Sequence, residues 1–184
     1  MAVLYQQVFE KAETILQGTY EECVFRNCDF SGLNLNGFTF ENCEFHSCNL
    51  SNAEVRNSSF QQVGFTDCKL LGMQFHMADP FSFGVYFSGS QLDFSSFYRC
   101  SLKNSKFVKC SLTGVDFTEA NLQGIALEEC DLKNAVFQNS NLEKTDFRTS
   151  FNFTIHPEHN KIKKAKFTLG EVAGLLSVYG IEIS

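Results

Sequence analysis

The chain has 184 residues, 43% of them hydrophobic and 20% charged, and a formal net charge of −6. This length suits one domain, and the absence of a long apolar run or a signal-like start favours a cytoplasmic protein without a membrane partner. Twenty-one Phe residues and no Trp are unusual for an ordinary globular protein and point to a repetitive core.

Residues 1–17 precede a regular pattern and are assigned to an N-terminal cap segment. A first repeat block follows over residues 18–75, where a large apolar residue recurs at every fifth position. Its centres are Tyr20, Phe25, Phe30, Leu35, Phe40, Phe45, Leu50, Val55, Phe60, Phe65, Leu70 and Phe75. A period of five fits neither a helix nor a flat strand, so the chain must turn repeatedly. Such a fixed repeat is typical of a solenoid.

A second phase lies two residues before each centre, where the side chain is usually small. All eight cysteines occupy this phase, which indicates packing and not metal binding or redox chemistry. Successive coils would stack such residues about 4.8 Å apart, but parallel side chains suit a relaxed disulfide poorly. We therefore expect reduced core thiols at Cys23, Cys28, Cys43, Cys48, Cys68, Cys100, Cys110 and Cys130.

Residues 76–86 interrupt the repeat, because Phe75 and Phe87 are separated by two units plus two extra residues. The segment contains a proline, a glycine and aromatic residues that are off the repeat phase. One interpretation is a local bulge that joins two stretches of one solenoid. The other is an exposed apolar patch for a partner, formed by Phe81, Phe83 and Tyr86.

The second block covers residues 87–167 and is irregular over residues 148–160, where Pro157 lies. Its centres are Phe87, Leu92, Phe97, Leu102, Phe107, Leu112, Phe117, Leu122, Leu127, Leu132, Phe137, Leu142 and Phe147, and the phase returns at Ile162 and Phe167.

Residues 168–184 change character and predict a short helix with a strand-like tail. Thr168 and Glu171 form a capping box, and Gly180 suits the C-cap. The apolar face of this segment can cover the open end of the solenoid and also pair two copies of the chain. The predicted homodimer interface comprises Leu169, Val172, Leu175, Leu176, Tyr179, Ile181 and Ile183.

The five-residue units, among them Cys28-Asp-Phe-Ser-Gly32 and Cys130-Asp-Leu-Lys-Asn134, resemble those of the pentapeptide repeat family. The resemblance implies an all-β solenoid, a right-handed quadrilateral β-helix with four units to a coil, here with a short C-terminal helix. Asn27-Cys-Asp-Phe-Ser-Gly32 and the order of the C-terminal elements resemble the Qnr-type bacterial members. That resemblance implies a dimeric rod that mimics DNA and protects DNA gyrase and topoisomerase IV from quinolones. No second long insertion interrupts residues 87–147, unlike the projecting loops of some members.

The distribution of charged residues along the chain bears on DNA mimicry, because a mimic of DNA needs an excess of acidic residues. Residues 1–82 carry ten acidic and four basic residues, whereas residues 83–184 carry eleven of each. Coils of four units would bring Glu21, Glu22 and Glu41 to one face as a candidate partner surface. The corresponding face of the second block mixes Lys106 and Lys109 with Glu128 and Glu129. A solvated acidic surface that keeps a rod in solution is the simpler interpretation.

Catalytic and metal sites have little support in the sequence. The nearest pair of histidines, His156 and His159, lacks a third ligand, and no phosphate loop or nucleophile elbow is present. The lysines from Lys161 to Lys166 are best read as solvated edge charges. We expect a protein that is not an enzyme and uses no cofactor or metal, with no direct nucleic-acid contact. Two functions remain: a modulator of type II topoisomerases, or a rigid scaffold for an unrelated protein partner.

Overall fold

The computed structural model describes residues 2–181, and these form a parallel β-solenoid that ends in one short helix. Parallel partners lie twenty residues apart over most of the chain, as between Phe25 and Phe45 or between Phe107 and Leu127. Four five-residue units therefore complete a coil, and the solenoid prediction is confirmed. The chain must wind in this way because only repeated turning brings every fifth side chain inward.

Two of the four sides carry regular sheets, and the other two are joined by isolated parallel bridges such as Asp29 with Asn49. The first side holds a four-stranded sheet in the order β1-β3-β5-β7, and the second side a seven-stranded sheet in the order β2-β4-β6-β8-β9-β10-β11. The strands are β1 (Ala2–Tyr5), β2 (Val8–Glu10), β3 (Gly18–Glu21), β4 (Val24–Arg26), β5 (Thr39–Glu41), β6 (Glu44–His46), β7 (Ser59–Gln61), β8 (Val63–Thr66), β9 (Val85–Ser88), β10 (Lys106–Val108) and β11 (Leu127–Glu128).

The N-terminal segment is itself a coil of the solenoid. β1 pairs with β3 and β2 pairs with β4, with partners sixteen residues apart, as between Val8 and Val24. The first coil is thus four residues shorter than the regular coils of twenty. Leu4 and Phe9 of this coil pack against the core. Apolar side chains of the same kind as in the repeats therefore cover the N-terminal end of the stack.

The core is a column of large side chains, and aromatic rings stack along it. On the second side, Phe25 lies 4.5 Å from Phe45, and Phe45 lies 5.0 Å from Phe65, between ring centroids. Beyond Phe107 this column continues with Leu127, and a second aromatic column from Phe75 to Phe137 runs along the fourth side. Such offset stacking suits the strand spacing of about 4.8 Å.

The cysteines lie in the small inward phase as free thiols, and seven of the eight are buried. Cys100 is half-buried, so it belongs less fully to the core than predicted. It lies next to the interruption, where the neighbouring wall is incomplete. Burial raises the pKa of both Cys43 and Cys100 to about 12, so these thiols are neutral and poor nucleophiles at pH 7.

The interruption adds two residues to one coil, because Phe65 pairs with Phe87 at a spacing of twenty-two. The turn Phe75–Met77 is a short 3-10 helix, and β9 resumes the sheet at Val85. The regular pattern therefore returns before the end of the predicted 76–86 segment. All four residues of β8 pair with β9, so the extra residues bulge from one corner and do not break the stack.

The C-terminal helix is shorter than predicted. The Glu171 N–H donates to Thr168 Oγ1 at 3.3 Å, as expected for a capping box, but α1 covers only Ala173–Leu176 before a 3-10 turn. Gly180 ends this turn with φ +65, in agreement with the predicted C-cap. Gly174 is packed so closely on Phe153 that an added Cβ would lie 2.7 Å from its ring. The close contact with Phe153 leaves room only for glycine at this position, although glycine has a low helix propensity.

Candidate interaction surfaces

The carboxylates of the N-terminal coils form a short row along the first side and its corner. Glu21 of β3 pairs in register with Glu41 of β5, and the Glu22 N–H donates to the Glu41 carbonyl at 2.9 Å. Gln6 donates to the Glu22 carboxylate at 2.8 Å. The structure thus brings together the three acidic residues that the sequence placed on one face. Strand pairing holds Glu41 one coil, about 4.8 Å, from Glu21.

Within the part of the chain that the structure describes, these N-terminal acids form no ion pair with Lys or Arg. Among residues 2–181, every ion pair between Lys or Arg and Asp or Glu lies between residues 99 and 166. In the N-terminal coils, Glu44 contacts His46 at 2.8 Å, a pair that is charged only when the imidazole is protonated. The charge of Glu22 also raises the pKa of Tyr5, followed in importance by desolvation. The field on this surface is therefore negative and uncompensated.

The second half differs, because several of its acids lie beside Lys or Arg residues of neighbouring coils. Lys106 lies 3.6 Å from Glu128, and Lys109 lies 3.9 Å from Glu129. A further pair joins Arg99 to Glu119 at 2.7 Å.

Asp146 provides the clearest electrostatic contrast with the N-terminal row. It accepts hydrogen bonds from Arg148 and lies 3.5 Å from Lys166. Hydrogen bonding to Arg148, opposed by partial desolvation, lowers the pKa of Asp146 to about 2. Its negative charge is therefore both retained and locally balanced at pH 7.

The interruption exposes part of the predicted aromatic patch. Phe81 is 73% exposed and Tyr86 is 42% exposed, whereas Phe83 is buried. Assignment of Phe83 to the surface patch was wrong, because its ring turns inward to contact Phe60 and Phe75. It fills the space left where Pro80, at the regular centre position, stays exposed.

The C-terminal segment has one strongly exposed apolar side chain and several that are partly buried. Leu169 is 94% exposed, and Tyr179 and Ile181 are about half exposed at 48% and 52%. Leu175, in α1, packs against the hydrophobic core. The half-buried residues Val172 and Leu176 lie beside it, and Ile183 lies outside the described residues.

The histidine pair is not part of a metal site in the described structure. The rings of His156 and His159 stack at 3.8 Å, and Tyr179 lies 5.7 Å from His156. Across residues 2–181, no three His, Cys, Asp or Glu side chains converge in a way that would hold a metal ion. Across the same residues, no helix has the length and apolar character needed to cross a membrane.

Sequence reasoning missed the left-handed corners of the solenoid. The residue two after a centre adopts positive φ in most units, as at Asn57 and Asn134, and is often Asn or Gly. The frequent Asn and Gly at this position could have indicated these corners, since both residues tolerate a left-handed backbone. Among the described residues, Phe94 is the one large apolar residue at such a corner, with φ 61 and 66% exposure. Its ring lies over Gly114, where a Cβ would approach within 2.8 Å.

Comparisons with known proteins agree with this architecture. The family profile described as Pentapeptide repeat region matches residues 19–96 and 83–151. No curated protein sequence matches the chain. A structure of QnrB1, described as a plasmid-mediated fluoroquinolone resistance protein, shares 20% identity over 100% of both chains, with a TM-score of 0.46.

Two other solved structures are more distant. HetL from Nostoc sp. strain PCC 7120, a pentapeptide repeat protein involved in heterocyst differentiation regulation, shares 14% identity. It covers 81% of this chain and 86% of its own, with a TM-score of 0.31. A pentapeptide repeat protein of the Arabidopsis thaliana thylakoid lumen shares 21% identity over 72% of this chain and 66% of its own, with a TM-score of 0.34.

Proposed function

The chain belongs to the pentapeptide repeat family, and from that premise we propose that it works without catalysis, as a DNA-mimicking modulator of a type II topoisomerase. The observation that carries the proposal is the carboxylate row of Glu21, Glu22 and Glu41 on a stack of strands, which forms no ion pair with Lys or Arg within residues 2–181. A protein that binds duplex DNA presents a basic channel, and such a channel attracts a rod with a concentrated negative charge.

The charge density of the N-terminal coils supports this comparison with DNA. Residues 1–82 carry ten acidic and four basic residues. Four coils rise about 19 Å, so the excess charge amounts to roughly one per 3 Å of the axis. Duplex DNA carries about one per 1.7 Å. The N-terminal coils thus reach about half the linear density of DNA, whereas the second half has no acidic excess.

The choice of enzyme follows the resemblance of the sequence to Qnr-type members. Bacterial DNA gyrase is therefore the first enzyme to test, in a supercoiling assay with and without a fluoroquinolone. We expect wild-type protein at micromolar concentration to change supercoiling or to restore it in the presence of the drug. The effect weakens as salt rises, since steering between exposed charges is screened within about 10 Å at 0.1 M salt.

The decisive variants remove equal charge from the two halves. Glu21→Gln, Glu22→Gln and Glu41→Gln together should reduce the effect on gyrase at least tenfold. The matched control replaces the paired acids, with Glu119→Gln, Glu128→Gln and Glu129→Gln, and should stay within about twofold of wild type. No effect of the wild-type protein, or an equal loss in both triple variants, would contradict DNA mimicry by this row.

A second candidate function is a protein scaffold that binds an unrelated partner at the interruption. The exposed rings of Phe81 and Tyr86 support it, because aromatic side chains are frequent anchors at protein interfaces. Phe81→Ser should abolish binding of such a partner, while Val136→Ser, another exposed apolar site, should leave binding unchanged. Circular dichroism should be the same for both variants. Retained binding in Phe81→Ser would argue against this surface.

We also propose that two copies pair through the C-terminal segment. Leu169 supports this arrangement, since it is 94% exposed. Leu169→Asp should yield a monomer in light scattering after size exclusion without loss of thermal stability. Leu175→Asp serves as the contrast, because Leu175 packs on the core and its replacement should lower stability. A Leu169→Asp variant that remains dimeric would place the interface elsewhere.

A further inference from the structure

The N-terminal end of the solenoid carries two open strand edges. Within residues 2–181, β1 is the outermost strand of the four-stranded sheet and β2 is an outermost strand of the seven-stranded sheet, so neither pairs with a strand on its outer side. The side chains of the first coil cover the core, but the backbone of these two strands is not covered by them. An open edge presents N–H and C=O groups that can pair with another strand.

The hydrogen bonds of the later coils show which residues of β1 face outward. Ser59 occupies the position of Val3 three coils later, and its N–H donates to the Phe38 carbonyl of the preceding coil at 2.8 Å. No coil precedes Val3 among the described residues, so its N–H and C=O point away from the stack. Tyr5 lies two positions further along the same strand and therefore faces the same way.

The edge of β1 is apolar and lacks the residues that usually protect an open edge. Its sequence is Ala-Val-Leu-Tyr, without lysine or proline. The side chains of Val3 and Tyr5 are both more than half exposed. Charged residues and proline discourage the addition of a strand, whereas an apolar edge favours it.

Acidic side chains surround this edge. Glu21 of β3 is the register partner of Tyr5, and the charge of Glu22 raises the pKa of the Tyr5 hydroxyl. Residues 2–22 contain four acidic residues and one basic residue, namely Glu10, Glu13, Glu21 and Glu22 against Lys11. A second copy packed head to head would bring these acids against one another. A basic segment is therefore the complementary occupant.

We propose that an extended basic segment of a protein partner pairs with β1 as a further strand of the four-stranded sheet. An apolar residue of that segment lies beside Val3, and an arginine two positions away lies over the Tyr5 ring and reaches toward Glu21 and Glu22. Backbone hydrogen bonds give such strand addition its affinity, and alternate side chains give it specificity. A guanidinium over a tyrosine ring is a favourable cation–π contact. The site uses the strand edge and does not depend on a topoisomerase partner.

NMR titration of the full chain with two matched peptides tests the site. The probe is the peptide TVTRTVT, acetylated and amidated, which reads the same from both ends and so fits in either strand direction. We expect a Kd of about a millimolar, as suits so short a strand. The control peptide TVTETVT places a carboxylate beside Glu21 and should bind roughly tenfold more weakly. Equal affinities, or no binding of TVTRTVT at roughly 10 mM, would overturn the proposal.

Solvent exchange of individual amide protons locates the added strand. At a peptide concentration about tenfold above the Kd, the Val3 and Tyr5 amides should exchange roughly tenfold more slowly, because about nine tenths of the sites are occupied. The amides of Val8 and Glu10, on the edge of β2, should exchange as in the free protein. Slowing at Val8 and Glu10 in place of Val3 and Tyr5 would refute the assignment to β1.

Two proline variants separate the backbone from the carboxylates. Val3→Pro removes the outward N–H and keeps an apolar side chain, and an edge strand tolerates proline where the N–H faces outward. It should bind TVTRTVT at least fivefold more weakly. Val8→Pro makes the same change on β2 and should bind within about twofold of wild type, with circular dichroism unchanged in both. Equal binding by the two variants would contradict pairing at β1.

Two further measurements keep this proposal distinct from the action on gyrase. Glu21→Gln with Glu22→Gln should abolish the preference for TVTRTVT over TVTETVT, because both carboxylates are removed. Val3→Pro leaves the acidic row intact and should change gyrase supercoiling as wild type does. A loss of peptide binding with an unchanged effect on gyrase supports the strand edge as a separate site. A retained preference in the double variant would argue against it.

A second copy of the chain is the competing occupant of this edge. If two copies paired through β1, the Val3 and Tyr5 amides would exchange slowly in the free protein, and more slowly as protein concentration rises. That result would overturn the proposal. Rapid exchange in the free protein at every concentration, with slowing only after TVTRTVT is added, supports it.

Discussion

The two halves of the rod share one coil geometry but pair their outer charges differently. Within the described residues, the N-terminal coils leave Glu21, Glu22 and Glu41 without cations, whereas the second half places Lys106 and Lys109 beside Glu128 and Glu129. The repeat does not specify the outward side chains, so one scaffold supports both arrangements. Surface function in this family member can therefore change without any change in the core.

The cores of the two halves differ as well. The second side carries an unbroken aromatic column from Phe9 to Phe107, followed by Leu127. A parallel column of rings lies on the fourth side of the second half, where Phe97 and Phe117 are 5.5 Å apart between ring centroids. The acidic half has a further column of stacked rings on its first side, from Tyr20 to Phe60, so its packing relies more on ring stacking.

The largest test of this difference is removal of one ring from the stack. Phe45→Ala should lower the free energy of unfolding by about 3–5 kcal/mol, since Phe45 is fully buried between Phe25 and Phe65. Leu127→Ala is the matched change in the second half and should cost about 2–4 kcal/mol. Urea unfolding followed by circular dichroism measures both. A larger loss for Leu127→Ala would contradict the greater role of the aromatic column.

A smaller effect is expected from the ion pairs of the second half. Asp146→Asn should lower stability at pH 7 by about 1 kcal/mol, because the side chain is partly exposed and solvent screens the pair. The folded pKa of about 2 lies below the ordinary value of 3.8, so this stabilisation is present above about pH 4. It is lost as pH falls from about 4 toward 2, and the two proteins should then converge. A stability difference that does not change with pH would exclude this linkage.

The smallest effects have opposite signs in the two halves. Glu41→Gln should stabilise the protein at low salt by about 0.3–0.5 kcal/mol, because it relieves repulsion from Glu21. Glu128→Gln should destabilise it by a similar amount, because it removes the partner of Lys106. Thermal unfolding in low and high salt checks both values. Changes of the same sign would show that the two surfaces are electrostatically alike.

Much of the fold was predictable because the inward phases are chemically uniform. Every centre from Phe25 to Phe75 is buried, and so are the small residues that precede most of them. The length of the C-terminal helix was predicted less well, since Gly174 serves a close contact with Phe153 that local propensity cannot reveal.

The candidate surfaces were predicted in part. Grouping of Glu21 with Glu41 followed from a coil of twenty residues, and the exposure of Phe81 followed from its position outside the phase. The inward turn of Phe83 did not follow, because a spacing pattern does not say which aromatic residue fills a gap. A small cavity lined by His76, Pro80 and Phe83 likewise depends on the path of the backbone through the interruption.

The spacing of apolar residues was enough to predict which side chains point inward and that the chain turns repeatedly, because neither a helix nor a flat strand buries every fifth residue. Four units to a coil came from the family resemblance. Folding then settles which outward charges meet and which aromatic residue fills the interruption. Those outcomes depend on the register between coils, which changes from twenty residues to twenty-two at the interruption. Residues that meet across coils are far apart in the sequence, so a single repeat does not reveal which side chains will pair.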